Sequence, residues 1–146
     1  MPPKRVLIVD DEESVRRLLR RLIERDGHSV REASSAEAAL ARLEESAADV
    51  AFCDVQLGGN DGLWLARELR SRHPATAVVL ATAIATIPPV LSMQAGVVAY
   101  LVKPFERQHV TQALALAETW TPPVEDERTQ RDVLETWLRA LERSSQ

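Results

Sequence analysis

The chain has a single cysteine, Cys53, among 146 residues, which excludes an internal disulfide and any site built from several thiolates. No apolar run is long enough to span a bilayer, and the start Met1-Pro-Pro-Lys4 lacks the apolar core of a secretion signal. Positive charge is not in excess: the net charge of -4 gives no help to binding nucleic acid or an anionic membrane, both of which need clustered cations. These absences point to a cytoplasmic protein of bacterial type that contacts neither membrane nor DNA directly. What is present is ordinary globular material, 45% hydrophobic and 27% charged. The length suits one compact domain with roughly 20 residues to spare.

Three apolar runs each stop at a group able to handle a phosphoryl group. Val6 to Val9 runs into Asp10 and Asp11, Val50 to Cys53 into Asp54, and Val97 to Val102 into Lys103-Pro104. Arg5 to Val9 shows no polar alternation, as expected for a strand covered on both faces. A helix follows, with Ser14 as its cap and Val15, Leu18, Leu19, Leu22 and Ile23 on one face. Asp26-Gly27 ends it, and His28 to Ala33 reads as a second strand. Ser34-x-x-Glu37 forms a capping-box pattern before a helix over Ala36 to Glu45. Val50 to Asp54 is the third strand, Gln56 to Asp61 a loop carrying Gly58 and Gly59, and Gly62 to Arg72 a helix stopped by Pro74. Ala77 to Ala81 is the fourth strand. A short helix begins at Pro88-Pro89 and ends at Gly96, Val97 to Val102 is the fifth strand, and Glu106 to about Thr119 a further helix.

Such alternation predicts an α/β fold, a parallel sheet with helices on both faces. Ligands in these sheets sit beyond the carboxyl ends of the strands, where the strand order reverses. Asp10, Asp11, Asp54, Thr82 and Lys103 all fall at such ends. Carboxylates gathered there repel one another unless a cation holds them. Magnesium, with its preference for hard oxygen ligands, is the natural ion, and His28, His73 and His109 lie outside the set, against zinc. Taken alone, Asp10-Asp11 also reads as an acidic cluster complementing a helix N-terminus. Asp54 alone reads as a turn, and Thr82 as a residue finishing a strand.

Over about residues 4 to 120 the chain resembles the receiver domain of two-component response regulators. The matching pieces are Val-Leu-Ile-Val-Asp10-Asp11-Glu12, Asp54-x-x-Leu-x-x-x-Asp61-Gly62, Ala-Thr82-Ala and Tyr100-Leu-Val-Lys103-Pro104-Phe105. The resemblance implies a flavodoxin-like doubly wound fold with strand order 2-1-3-4-5. It implies that Asp54 is the phosphoacceptor, taking a phosphoryl group from a phosphohistidine of a sensor histidine kinase or phosphotransfer protein. Asp11, Asp54 and the Gln56 backbone carbonyl are implied to hold Mg2+ or Mn2+ directly, and Asp10 mainly through water. Lys103 and Thr82 are implied to contact the phosphoryl oxygens, and Tyr100 to turn inward with Thr82 as the switch. A cis Lys103-Pro104 bond is implied likewise.

Three features depart from that pattern. Gly58 stands where the family usually has proline, which leaves the loop freer. Ile84 flanks the route of water to an acyl phosphate, predicting a longer-lived phosphoryl state. Val97-Val98-Ala99 replaces positions often acidic; with Ile84, Ile87, Val90 and Leu91 these residues either pack internally or, if half are exposed, form an apolar face for a downstream partner or a second copy, the second reading being slightly favoured. Residues 121 to 146 form a C-terminal extension: Thr121-Pro122-Pro123 and Glu125-Asp126-Glu127 start a helix whose Val133, Leu134, Trp137, Leu138 and Leu141 form a stripe. That stripe needs a cover: the domain itself, a homodimer partner or an output domain. Two other readings stand beside the switch, one a receiver-like scaffold that assembles through this helix. The other is a magnesium-dependent phosphatase with an aspartate nucleophile, disfavoured because Asp10-Asp11-Glu12 lacks the Asp-x-Asp pair it needs. On the switch reading the protein is a regulator rather than an enzyme.

Overall fold

A computed structural model describes residues 2–59, 61–83, 96–121 and 138–139. Five strands, β1 (Arg5–Val9), β2 (Ser29–Ala33), β3 (Val50–Asp54), β4 (Ala77–Thr82) and β5 (Val97–Val102), form one parallel sheet in the order β2-β1-β3-β4-β5. Four helices are described: α1 (Glu13–Arg25), α2 (Ala36–Glu45), α3 (Gly62–Arg72) and α4 (Arg107–Thr119). This is the flavodoxin-like arrangement. The predicted helix before Gly96 and the stripe of the C-terminal extension lie outside the described residues, as do Ile84, Ile87, Val90 and Leu91.

The unalternating apolar runs now have a physical reason. Successive strand side chains point to opposite faces, and both faces are covered. Leu7, Val9, Ala51, Cys53, Val78 and Leu80 pack with α2 and α3 on one side. Val6, Ile8, Val50, Phe52, Val79 and Ala81 pack with α1 and α4 on the other. Trp64 is half-buried against the first of these clusters.

Strand and helix limits follow the expected ones to within a residue, but two caps differ. Helix α1 begins before Ser14, with Glu12 in the capping position; the Arg16 N–H reaches the Glu12 carbonyl at 3.2 Å. The Glu12 N–H is itself taken by Asp10 Oδ1 at 2.9 Å, so the strand-end aspartate serves the turn that a capping serine serves elsewhere. At α2 the cap is Ser35, not Ser34: its hydroxyl accepts the Ala38 N–H at 3.1 Å. On α1, Leu19 and Ile23 are fully buried, while Leu18 stays 43% exposed. Gly27, at φ +91, makes the left-handed turn that releases the chain from α1 into β2.

Val97, Val98 and Ala99 are each partly buried against one or other face of the core. Internal packing therefore accounts for this much of the expected apolar partner surface, and on this face β5 offers Val102, 41% exposed.

Candidate functional site

The sheet delivers the polar groups to one edge. Asp10 follows β1 directly, Asp54 ends β3, Thr82 ends β4 and Lys103 follows β5. Register carries the alignment across: Asp54 pairs with Ala81 and Thr82 with Val102. Beyond the strands it is continued by the Val55 N–H to the Ala81 carbonyl at 3.0 Å and the Lys103 N–H to the Thr82 carbonyl at 2.8 Å. The Lys103-Pro104 bond is cis.

Asp10, Asp54 and Thr82 are all buried. Lys103 Nζ spans the two carboxylates, 2.9 Å from Asp10 Oδ2 and 3.1 Å from Asp54 Oδ2. The second oxygen of each carboxylate takes a backbone donor: Glu12 N–H on Asp10, and Gln56 N–H on Asp54 at 3.0 Å. Burial pushes the Asp54 carboxyl above its ordinary pKa, and the neighbouring Asp10 charge adds to the rise, outweighing the Gln56 N–H and Lys103. Burial acts to lower Lys103, but its bonds to Asp10 and Asp54 prevail and hold its ammonium above the usual value. One ammonium thus serves two buried acids, and Asp54 carries a charge its surroundings incompletely compensate.

Asp11 and Glu12 are exposed beside this pair, and oxygens of Asp10, Asp11 and Glu12 lie within 4.8 Å of one another. A hard, all-oxygen donor set of this kind fits a small divalent cation. Glu12 was absent from the expected ligand set, although its adjacency to Asp10-Asp11 was visible in the chain. Arg16 was missed altogether; its guanidinium reaches the Asp10 carbonyl at 2.7 Å. Gln56 is exposed two residues beyond Asp54. Tyr100 is half-buried, its hydroxyl is enclosed with no hydrogen-bond partner among the described residues, and burial raises its pKa.

Cys53 is beside Asp54 in sequence but faces the opposite core. Burial, with the Asp54 charge, pushes its thiol up to about 12, so the reactive thiolate is scarce at neutral pH. Iodoacetamide is expected to leave Cys53 unmodified in the folded protein and to modify it fully in denaturant, read by intact mass. Rapid alkylation of the native chain would contradict the burial.

The chain matches the family described as the response regulator receiver domain over residues 6–115. It belongs to that family. Among relatives, it is 42% identical over 101 residues to the alginate biosynthesis transcriptional regulatory protein AlgB of Pseudomonas aeruginosa, covering 68% of this chain and 22% of AlgB. It is 30% identical over 146 residues to the transcriptional regulatory protein GlrR of Escherichia coli, covering 97% of this chain and 33% of GlrR. The receiver therefore spans about a third or less of either regulator's length. Among solved structures, the response regulator TrrA of Thermotoga maritima, determined with Mg2+ and BeF, superposes at a TM-score of 0.71 with 28% identity, covering 78% of this chain and 98% of that one. Among the described residues, no helix of this receiver is long and apolar enough to cross a membrane.

Proposed function

We propose that this receiver is a phosphoacceptor switch in which Asp54 takes a phosphoryl group from a phosphohistidine of a sensor histidine kinase or phosphotransfer protein. The observation that carries the reading is the Lys103 ammonium bridging buried Asp10 and Asp54 beside two exposed carboxylates. A carboxylate short of compensating charge is a nucleophile, and an ammonium in contact with it meets the charge of an incoming phosphoryl group. In the step itself, an Asp54 oxygen attacks phosphorus, the phosphorus–nitrogen bond of the donor breaks, and its electron pair leaves on the imidazole. Asp11, Asp54 and the Gln56 carbonyl would hold Mg2+ or Mn2+, with Asp10 beside them in support. Once bound, the cation would supply charge compensation for the carboxylates and the transferring group.

Lys103 and the Thr82 hydroxyl then bind phosphoryl oxygens, and Tyr100 follows Thr82. Tyr100 has an enclosed hydroxyl with no hydrogen-bond partner among the described residues, a place that a small charge event can alter. The switch reaches a downstream protein or a second copy through β5, α4 and residues 84–96. On this reading residues 4–120 are the receiver, 121–146 an extension for docking, dimerisation or linkage to an output domain, and the protein works in the cytoplasm as a regulator rather than an enzyme. It needs no direct contact with nucleic acid or membrane.

Acetyl phosphate with Mg2+ is expected to add one phosphoryl group per chain, read by intact mass, with labelling abolished by EDTA. Steady turnover of a generic phosphomonoester without accumulation of labelled protein would instead favour a phosphatase.

A further inference from the structure

The peptides on either side of Asp10 are gripped from outside the expected site. In the preceding one, which joins Val9 to Asp10, the Asp10 N–H donates to the Ala33 carbonyl of β2 at 3.2 Å. The Asp10 carbonyl accepts Arg16 Nη1 at 2.7 Å. Arg16, in the first turns of α1, is largely buried, and its Nε donates to Glu32 Oε1 at 3.2 Å. Glu32 lies on β2 opposite Ile8, and its other oxygen pairs with Arg20, which also donates to the Val30 carbonyl and to Glu24. The Asp10 side chain is fixed separately, by Lys103 and the Glu12 N–H. Asp11 is exposed at the bend between β1 and α1. The place of its carboxylate depends on the orientation of the peptide before it, and that orientation is what Arg16 holds.

We propose that Arg16, steadied by Glu32, is a positioning residue for the cation-binding loop: it sets the Asp10–Asp11 peptide and so where Asp11 presents its carboxylate. The inference rests on the phosphoacceptor reading. Two physical effects of Arg16 have opposite signs, which makes the role separable. A guanidinium near a cation site repels the cation, so on charge alone its removal tightens binding. As a holder of the loop its removal weakens binding, because groups that orient metal ligands are worth on the order of 10- to 100-fold in affinity. Glu32, by neutralising Arg16, lets the second effect dominate. A purely structural bond between α1 and β2 changes thermal stability and leaves the cation affinity alone.

The test is Mg2+ binding by calorimetry to the full chain, with melting temperature recorded for each variant. Arg16→Gln is expected to weaken Mg2+ on the order of 10-fold, and Arg16→Lys, which keeps one donor for the carbonyl, to weaken it less. Arg20→Gln breaks the other pairing of Glu32, through its second oxygen, without touching Asp10 or the Arg16 bond, and is expected to leave the affinity unchanged whatever it does to stability. Acetyl phosphate labelling of Arg16→Gln is expected to need more Mg2+ for half-maximal rate while approaching the parent rate at saturation. Should Arg16→Gln not fold, Arg16→Lys serves: it keeps the charge, so weaker Mg2+ binding in it reports on the grip alone. Unchanged or tighter Mg2+ binding in the Arg16 variant that folds, with the parent binding and labelling normally, overturns the positioning role alone. A parent chain that neither binds Mg2+ nor labels overturns the phosphoacceptor reading and this role with it.

Discussion

Asp54→Asn is expected to take up no phosphoryl group from acetyl phosphate and, at neutral pH, to melt higher than the parent chain. Loss of labelling follows because an amide is no nucleophile towards phosphorus under these conditions, and among the described residues the other carboxylate paired with Lys103, Asp10, is still more deeply buried. The gain in stability follows from the charge. Burial and Asp10 together raise the Asp54 pKa despite Lys103 and the Gln56 N–H, so the fold holds the Asp54 proton more tightly than the unfolded chain does. Such a group contributes stability that is fully present below the unfolded pKa of about 3.9 and is lost as pH rises through the folded value. At neutral pH the parent lacks this contribution, whereas asparagine, neutral throughout, never forfeits it. Lys103 retains Asp10 as its partner. The difference in melting temperature should be widest at neutral pH and close towards acid, with each kcal/mol worth about 4 °C in a domain of this size. Mg2+ is expected to stabilise the parent, by about 2.7 kcal/mol at a hundred times its Kd, and the variant much less. A labelled variant, or a gap that widens towards acid, would be evidence against Asp54 as the strained acceptor.

Much of this is legible in the sequence itself. Strands buried on both faces advertise themselves as unbroken apolar runs, so β1, β3 and β5 carry the limits expected of them. In a parallel sheet the ends of such runs share one edge, which is why Asp10, Asp54, Thr82 and Lys103 converge. What escaped depends on relations the chain does not carry locally. Which serine caps α2 depends on where the chain leaves β2, and Asp10 takes over the turn before α1, leaving Ser14 inside the helix. Arg16 carries no local signature of its role; Glu32, its partner, is 16 residues away and arrives only through the pairing of β1 with β2. The apolar stretch at 97–99 suggested a partner surface because its own core contacts, spread over both faces of the sheet, have no local signature.

Gly62 closes one of the matching motifs, but the spatial reason for it is not legible in the chain, and Gly62→Ala is expected to be severe. Gly62 opens α3 just after Asp61, whose carboxylate accepts the Trp64 N–H at 2.8 Å. Alanine is the better helix former, so propensity alone predicts a gain of about 1 kcal/mol. Space decides otherwise. A Cβ at this position would lie 2.1 Å from the Asp54 carbonyl oxygen, 2.9 Å from its carbon and 3.0 Å from Val55 Cα. All three are backbone atoms, so no side chain can rotate away. Either α3 retreats, breaking the Gly62 N–H bond to the Val55 carbonyl at 3.2 Å, or the end of β3 moves and carries Asp54 out of line with Lys103. Overpacking that a site cannot relax costs about 1–3 kcal/mol, occasionally more, and the contact with the carbonyl oxygen puts this one at the upper end. Urea denaturation is expected to show that loss, and the acetyl phosphate labelling rate at saturating Mg2+ to fall with it. Because the displaced atoms are those of the proposed acceptor residue, the rate loss should persist well below the melting temperature, where the variant is folded. An alanine variant with the parent's urea midpoint and labelling rate would mean that α3 can stand off from Asp54 without consequence, and that the tight approach is not what holds the acceptor in place.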